Sequence, residues 1–145
     1  MAKLQLRIIT ADSMKVDEPV DMIIMRCLLE DMGEHSAMGE IGVLPNHMPL
    51  SGVLGINPLR IFNDGTERRM ALFGGVVTIR DNVATLMTEQ ALWSDEIDST
   101  TAKSDLDTAN NALSTADPTN RREALIATRQ ASVLVEVGSY SSTRR

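Results

Sequence analysis

Residues 3–8 alternate: Leu4, Leu6 and Ile8 share one parity, and Lys3, Gln5 and Arg7 share the other. A period of two marks a half-buried strand. Each of the three apolar side chains contributes about 1.5–3 kcal/mol if fully buried. Ala11-Asp12-Ser13 reads as a turn. Val16, Val20, Met22 and Ile24 then share a parity against Asp17, Pro19 and Asp21, which predicts a second strand. Pro19 has no N–H to give to a ladder, so part of that strand is expected at an edge or a bulge. Residues 57–62 and 67–73 flank Asn63-Asp64-Gly65-Thr66, a hairpin signal because Gly accepts positive φ. Gly74-Gly75 predicts a bulge or a close approach, not a phosphate loop, since no G-x-G-x-x-G or G-x-x-x-x-G-K follows. Residues 76–80, the pair Asp81-Asn82 and residues 83–88 make another hairpin. Many short strands joined by turns predict a β-sandwich or barrel.

The period changes near Asp95. Residues 96–129 contain no glycine and one proline. Ala102, Leu106, Ala109, Leu113 and Ala116 are spaced by four and three, which is one face of a helix. Asp95, Glu96 and Asp98 stand near its start, where the helix dipole favours anions. Asp117-Pro118 interrupts the pattern, with Asp117 as the expected N-cap and Pro118 as the first helical residue of a second helix. Ala124, Ala127, Ala131 and Leu134 give that helix a small-residue stripe suited to packing on the first. Val133, Val135 and Val137 are β-branched and predict fraying or an early stop, with Gly138 as the terminator. Ile126 and Val133 lie off the stripe, so this helix wants a second neighbour: the sandwich or a partner protein. Residues 139–145 are expected to form a loose tail. The fold class is therefore α+β: a sandwich over residues 1–93, then an antiparallel two-helix hairpin over residues 94–145.

Composition narrows the function. The chain of 145 residues has one Trp, one Tyr and two Phe, so its core must be aliphatic. A net charge of −6 argues against nucleic-acid binding, which needs a basic face. Cys27 is the single cysteine and has no internal partner for a disulfide, which fits a reducing compartment. No apolar run approaches the roughly 20 residues that span a bilayer, and the N-terminus lacks a secretory h-region. A soluble protein, cytoplasmic and at most peripheral to a membrane, is expected. His35 and His47 are the only histidines. No serine or cysteine motif accompanies them, and the spacings of Cys27, Glu34, His35 and His47 match no zinc pattern. Neither a catalytic nor a metal site is expected.

The stretch Gly39-Glu40-Ile41-Gly42-Val43-Leu44-Pro45-Asn46-His47-Met48-Pro49-Leu50 carries the strongest signal. Two prolines four apart forbid a helix and fix a rigid loop. From the residues alone this is equally a turn that ends strands or a binding loop. The stretch resembles the Gly-Glu-x-Gly-(Ile/Val)-Leu-Pro-x-His-x-Pro-Leu signature of the epsilon subunit of F-type ATP synthases (delta in mitochondria). Leu4-Gln5-Leu6-Arg7-Ile8-Ile9-Thr10, residues 52–60, Phe73-Gly74-Gly75-Val76-Val77, residues 83–87 and Glu96-Ile97-Asp98 match further pieces of that family in order. Residues 26–38 are longer than the family spacing and read as an insertion.

The resemblance implies a non-catalytic central-stalk subunit. It would couple rotation of gamma and the c-ring to ATP synthesis in the alpha–beta head, at the cytoplasmic face of a membrane. Glu40, Pro45 and His47 would then lie at or near the c-ring and gamma. Arg121, Arg122 and Arg129 would be a solvated face, would pair within the hairpin, or would meet acidic segments of the beta subunits when the hairpin extends to slow ATP hydrolysis. Some bacterial members bind ATP through Ile/Leu-Asp-x-x-Arg-Ala. Here Ile97, Asp98 and Ala102 match, but Thr101 stands in place of the arginine and brings no charge to a phosphate. ATP binding is expected to be weak or absent, and no cofactor is expected. The alternative is a stand-alone sandwich interaction module with a helical appendage, unrelated to a motor.

Overall fold

The computed structural model describes residues 2–28 and 38–140. The strands are β1 (Leu4–Ile9), β2 (Met14–Val20), β3 (Met22–Leu28), β4 (Met38–Val43), β5 (Leu50–Asn63), β6 (Thr66–Arg80), β7 (Val83–Thr88) and β8 (Ala91–Trp93). A single 3-10 turn, Ser94–Glu96, leads to the helices α1 (Ser99–Thr115) and α2 (Arg121–Gly138). Most of the expected insertion at residues 26–38, including Glu34 and His35, lies outside the described residues.

The strands pair in the order β2-β1-β7-β6-β5-β3-β4, with β8 added alongside β6. β5 and β6 are long, at 14 and 15 residues, and each serves both layers of the sandwich. The second half of β6 pairs with β7, while its first half pairs with β8. The change of layer falls at Gly74 (φ 81°) and Gly75 (φ 133°), conformations that L side chains rarely adopt. A Cβ on Gly75 would overlap the carbonyl oxygen of Met87 on β7. Residues 67–73 and 76–80 are therefore one bent strand, and the glycine pair is its corner.

One aliphatic core lies between the layers. Leu4, Leu6 and Ile8 of β1 meet Ile23, Met25 and Cys27 of β3, Leu59 and Ile61 of β5, and Met70 and Leu72 of β6. The predicted parity of β1 holds. The predicted single strand through Val16 and Ile24 does not. The chain breaks at Asp21, whose N–H goes to the Phe62 carbonyl, and the phase shifts by one. Ile23, Met25 and Cys27 face the core in place of Met22 and Ile24. β2 and β3 consequently sit in different parts of the sheet, and Pro19 lies on the edge strand β2. Both two-residue hairpins form as expected, with positive φ at Asp64 and Gly65 and at Asp81 and Asn82.

The helices add an outer layer. Asp98 caps α1, accepting from the N–H groups of Thr100 (3.0 Å) and Thr101 (3.3 Å). The predicted stripe from Ala102 to Ala116 is the inner face of α1 and packs on α2. α2 begins at Arg121, three residues later than expected. Asp117 does not cap it directly; its carboxylate closes a turn by accepting from Thr119 and Asn120. Ala127 is exposed, and Thr128 takes its place against α1, reaching the Ala109 carbonyl at 3.4 Å. The valine run does not fray. Val133 and Val137 are buried with Ala71 of β6 in a second, smaller core that Ile56, Phe73, Ile97 and Leu134 complete. Gly138 ends α2 without a positive φ. Its job is closeness, since a Cβ there would stand 2.7 Å from Ile97 Cγ2.

The corner yields a paired test. Gly75→Ala forces both a disfavoured φ and a backbone overlap, and is expected to cost about 3 kcal/mol or more in urea unfolding. Gly42→Ala meets open space and is expected within about 0.5 kcal/mol of the parent. Equal stability of the two variants would refute the corner's role.

Candidate functional site

One end of the sandwich is built around residues 44–49. Pro45 sets the second position of a β-turn, Asn46 takes the positive φ (62°) that its third position needs, and His47 N–H returns to the Leu44 carbonyl at 3.2 Å. The His47 ring closes on its own loop, with Nδ1 donating to the Met48 carbonyl at 2.7 Å. The imidazole therefore shapes the loop. Leu44 (57% exposed) and Met48 (72%) project as an apolar tip.

Asn82 holds this loop in place. Its Oδ1 accepts from the Asn46 N–H (2.8 Å), its Nδ2 donates to the Lys3 carbonyl (2.7 Å), and its own carbonyl accepts from Gln5 N–H (3.1 Å). Lys3 then reaches Asn63 (2.7 Å), Asp64 (2.9 Å) and Asp21 (2.6 Å). Both ends of the bent strand β6 thus meet beside β1. The sequence marked Asn82 as a hairpin residue; its second job depends on a partner 36 residues away and left no local signal.

A second apolar feature crosses the outer face of the first layer. Register pairs Val53 with Val76, Val76 with Met87, Met87 with Ile9, and Ile9 with Met14. Side chains directly opposite in neighbouring strands share a face. Met14, Val53, Val76 and Met87 are 40–51% exposed. Five strands thus contribute one continuous apolar row to solvent.

The other expected residues lie elsewhere. Pro45 and His47 come together, but Glu40 does not join them. It sits in mid-β4, five residues before Pro45 and outside the turn. It faces Arg26 at 4.0 Å in a groove that Arg60, Arg69 and Glu136 also line. Arg121 and Arg122 are exposed on the first turn of α2, and Arg129 is exposed beside Arg26 and Glu136. Ile97, Asp98 and Ala102 each have a structural task in the second core, the cap and the α1–α2 contact. Cys27 is buried, which pushes its thiol pKa up. Among the described residues no group of three or more His, Cys, Asp or Glu is placed to hold a metal.

The sandwich, its proline–histidine loop and the ordered series of strands coincide with a known domain. The model of the ATP synthase, Delta/Epsilon chain, beta-sandwich domain matches residues 3–94. This chain belongs to the ATP synthase delta/epsilon family. The ATP synthase epsilon chain of Herpetosiphon aurantiacus is 31% identical over 143 residues, covering 98% of both chains, so that similarity runs through the hairpin. The epsilon chain of Caldicellulosiruptor bescii is 33% identical over 98 residues, covering 68% of this chain and 65% of its own length. A chain from the cryo-EM structure of Euglena gracilis mitochondrial ATP synthase, OSCP/F1/c-ring in rotational state 1, superposes with a TM-score of 0.76. Its identity is 25%, and the match covers 92% of this chain and 80% of that one. A module unrelated to a motor is not favoured by this agreement. No helix among the described residues is long and apolar enough to cross a membrane.

In this family member the junction between sandwich and hairpin carries three acidic groups with low pKa values. Lys15 (2.8 Å) and the Trp93 N–H hold the Glu96 carboxyl below the usual range. The Thr101 amide, then its hydroxyl and the Thr100 amide, do the same for Asp98. Burial opposes ionisation of Glu67, but bonds from Arg60 (2.6 Å) and Arg69 (3.1 Å) outweigh it. A depressed folded pKa gives stability that is complete above the unfolded value, about 3.9 for Asp and 4.3 for Glu, and is lost as pH falls through the folded value. The junction is expected to loosen below about pH 4, read from the fluorescence of Trp93, the only tryptophan. A transition centred above pH 6 would refute this assignment.

Proposed function

We propose that this chain is a central-stalk subunit of an F-type ATP synthase. It has no chemistry of its own and couples rotation of gamma and the c-ring to ATP synthesis in the alpha–beta head. The observation that carries the reading is the exposed row Met14–Ile9–Met87–Val76–Val53 on a sandwich of the delta/epsilon family. A continuous apolar surface spanning five strands is what a protein partner covers. We assign this row to gamma, and the apolar loop tip at Leu44 and Met48, with Pro45 and His47, to the c-ring. The subunit then sits peripherally at the cytoplasmic face, held by proteins and not by lipid.

The hairpin is read as the regulatory part. Arg121 and Arg122 stand at the N-terminus of α2, where positive charge opposes the helix dipole. They do little for this helix and suit acidic segments of the catalytic beta subunits. The hairpin would exchange between its docked form and an extended form that slows hydrolysis. Such exchange needs two states within a few kcal/mol of each other.

Val76→Asp places a charge in the middle of the row without touching the core. It is expected to weaken binding to a gamma–c-ring subcomplex by about tenfold or more, with thermal stability little changed; unaltered affinity would remove the row from the interface. Hydrolysis by the matching catalytic head is the functional test. Inhibition by the full chain that disappears on truncation after Trp93 assigns the brake to the hairpin. Equal rates with both versions leave a coupling subunit alone, and failure of both to bind overturns the reading.

Nucleotide regulation is not part of this proposal. Thr101 offers no guanidinium, and the Asp98 carboxylate is already engaged by two backbone amides. Calorimetric titration of the isolated chain is expected to show no saturable ATP binding below 1 mM (roughly 4 kcal/mol); a binding isotherm in that range would contradict it.

A further inference from the structure

The hairpin meets the sandwich through α2. α1 packs chiefly on α2, and α2 carries the main contact with β5 and β6, so what holds α2 largely holds both helices. The apolar part of that contact is small, with Val133 and Val137 as its buried helical side chains against Ala71.

A polar contact closes the same interface just past the end of α2. The chain's single tyrosine, Tyr140, donates its hydroxyl to the Glu67 carbonyl on β6 at 3.1 Å. Its ring lies under the Arg69 guanidinium, 4.2 Å from ring centroid to Cζ. Arg69 is not free to drift, because the Glu67 carboxylate binds its Nε, and the same carboxylate binds Arg60. Tyr140 is equally fixed on the helix side. Its N–H returns to the Val137 carbonyl (3.0 Å), and Ser139 N–H returns to that of Val135 (3.2 Å). The last turn of α2 has no basic residue of its own. Arg69 thus reaches this end of the hairpin through the Tyr140 ring. Residues 139–140 are thus docked, unlike the loose tail expected over residues 139–145, of which 141–145 lie outside the described residues.

We infer that Tyr140, clamped between Arg69 and the Glu67 backbone, is the latch that keeps the hairpin docked on the sandwich. The latch sits at the end where the hairpin is also covalently rooted, since Gly138 packs against Ile97 two residues before it. Opening the latch frees the last turn of α2, and the pair of helices then leaves as one body pivoting on residues 97–98. The regulatory meaning of that movement rests on the proposed function; the latch itself does not.

Hydrogen exchange on the full chain tests it. Tyr140→Ala removes ring and hydroxyl and is expected to speed exchange of α1 and α2 amides about tenfold. Tyr140→Phe keeps the ring and is expected to speed it about threefold. Amides of β1 and β7 are expected to keep their protection in both variants. Ile126→Ala, at an exposed position of α2, is the control and is expected to leave helix protection unchanged. Unchanged helix protection in Tyr140→Ala would overturn the latch. Equal acceleration in β1 and β7 would also overturn it, because Tyr140 would then support global stability only. Hydrolysis by the cognate complex separates the two ideas: faster helix exchange with an unaltered rate keeps the latch and removes the brake.

Discussion

The glycine corner in β6 governs the architecture. A strand of 15 residues cannot serve two layers unless it turns sharply, and here it turns at Gly74 and Gly75 with β7 pressed against the backbone. Because β6 bends, its two ends return to the same end of the molecule. Lys3 and Asn82 can then tie both hairpin turns to β1 and to the loop at residues 44–49. The apolar row on the outer face also depends on the corner, since Val76 follows it directly and aligns with Met87 across the close contact. Core, loop and row are consequences of one backbone constraint that only glycine meets without strain.

Stability is distributed unevenly above that constraint. The largest fully buried side chains, from Leu4 to Leu86, all belong to the sandwich. The buried side chains of the hairpin are small: Ala102, Ala109 and Ala131, with Val133 and Val137 toward the sheet. Side chains that bury little area contribute little hydrophobic stabilisation. A protein of this kind has a core that unfolds last and an appendage whose opening is cheaper. Ionic and ring contacts at the junction, from Glu96 to Lys15 and from Tyr140 to Arg69, then decide more of the docking than they would inside the sandwich, where apolar burial dominates.

The sequence showed what is local. Strand β1, the two hairpin turns, the helical stripe of α1 and the family signature all depend on neighbours within a few residues, and all were legible. The break between β2 and β3 was not, because Asp21 pairs with Phe62 and no local pattern marks the shift of phase. The valine run of α2 departs from its propensity for a related reason. Propensity counts β-branched residues against a helix, but the sheet beneath wants them, and tertiary packing outweighs a few tenths of a kcal/mol per residue. Thr128 replaced Ala127 in the inner stripe because its hydroxyl finds carbonyls on both helices. Of the candidate site, only the turn at Pro45 and His47 is legible, from its two prolines. The apolar row was invisible, since it exists only once five strands are in register, and Tyr140 looked like tail.

The placement of charge separates two kinds of residue in the hairpin. Asp98 stands where a helix start favours an acid, and it caps α1; its position is explained by folding alone. Arg121 and Arg122 stand at the start of α2, where folding disfavours a base, and both are exposed. Arg69, by contrast, comes from the sandwich to the ring of Tyr140, two residues past the end of α2. A charged cap thus holds the root of the hairpin, and a cation–ring contact holds its latch. The unfavourable pair sits at the opposite end of α2, farthest from the pivot. A partner that neutralised Arg121 and Arg122 would therefore stabilise α2 itself, and both are open to one in the docked hairpin.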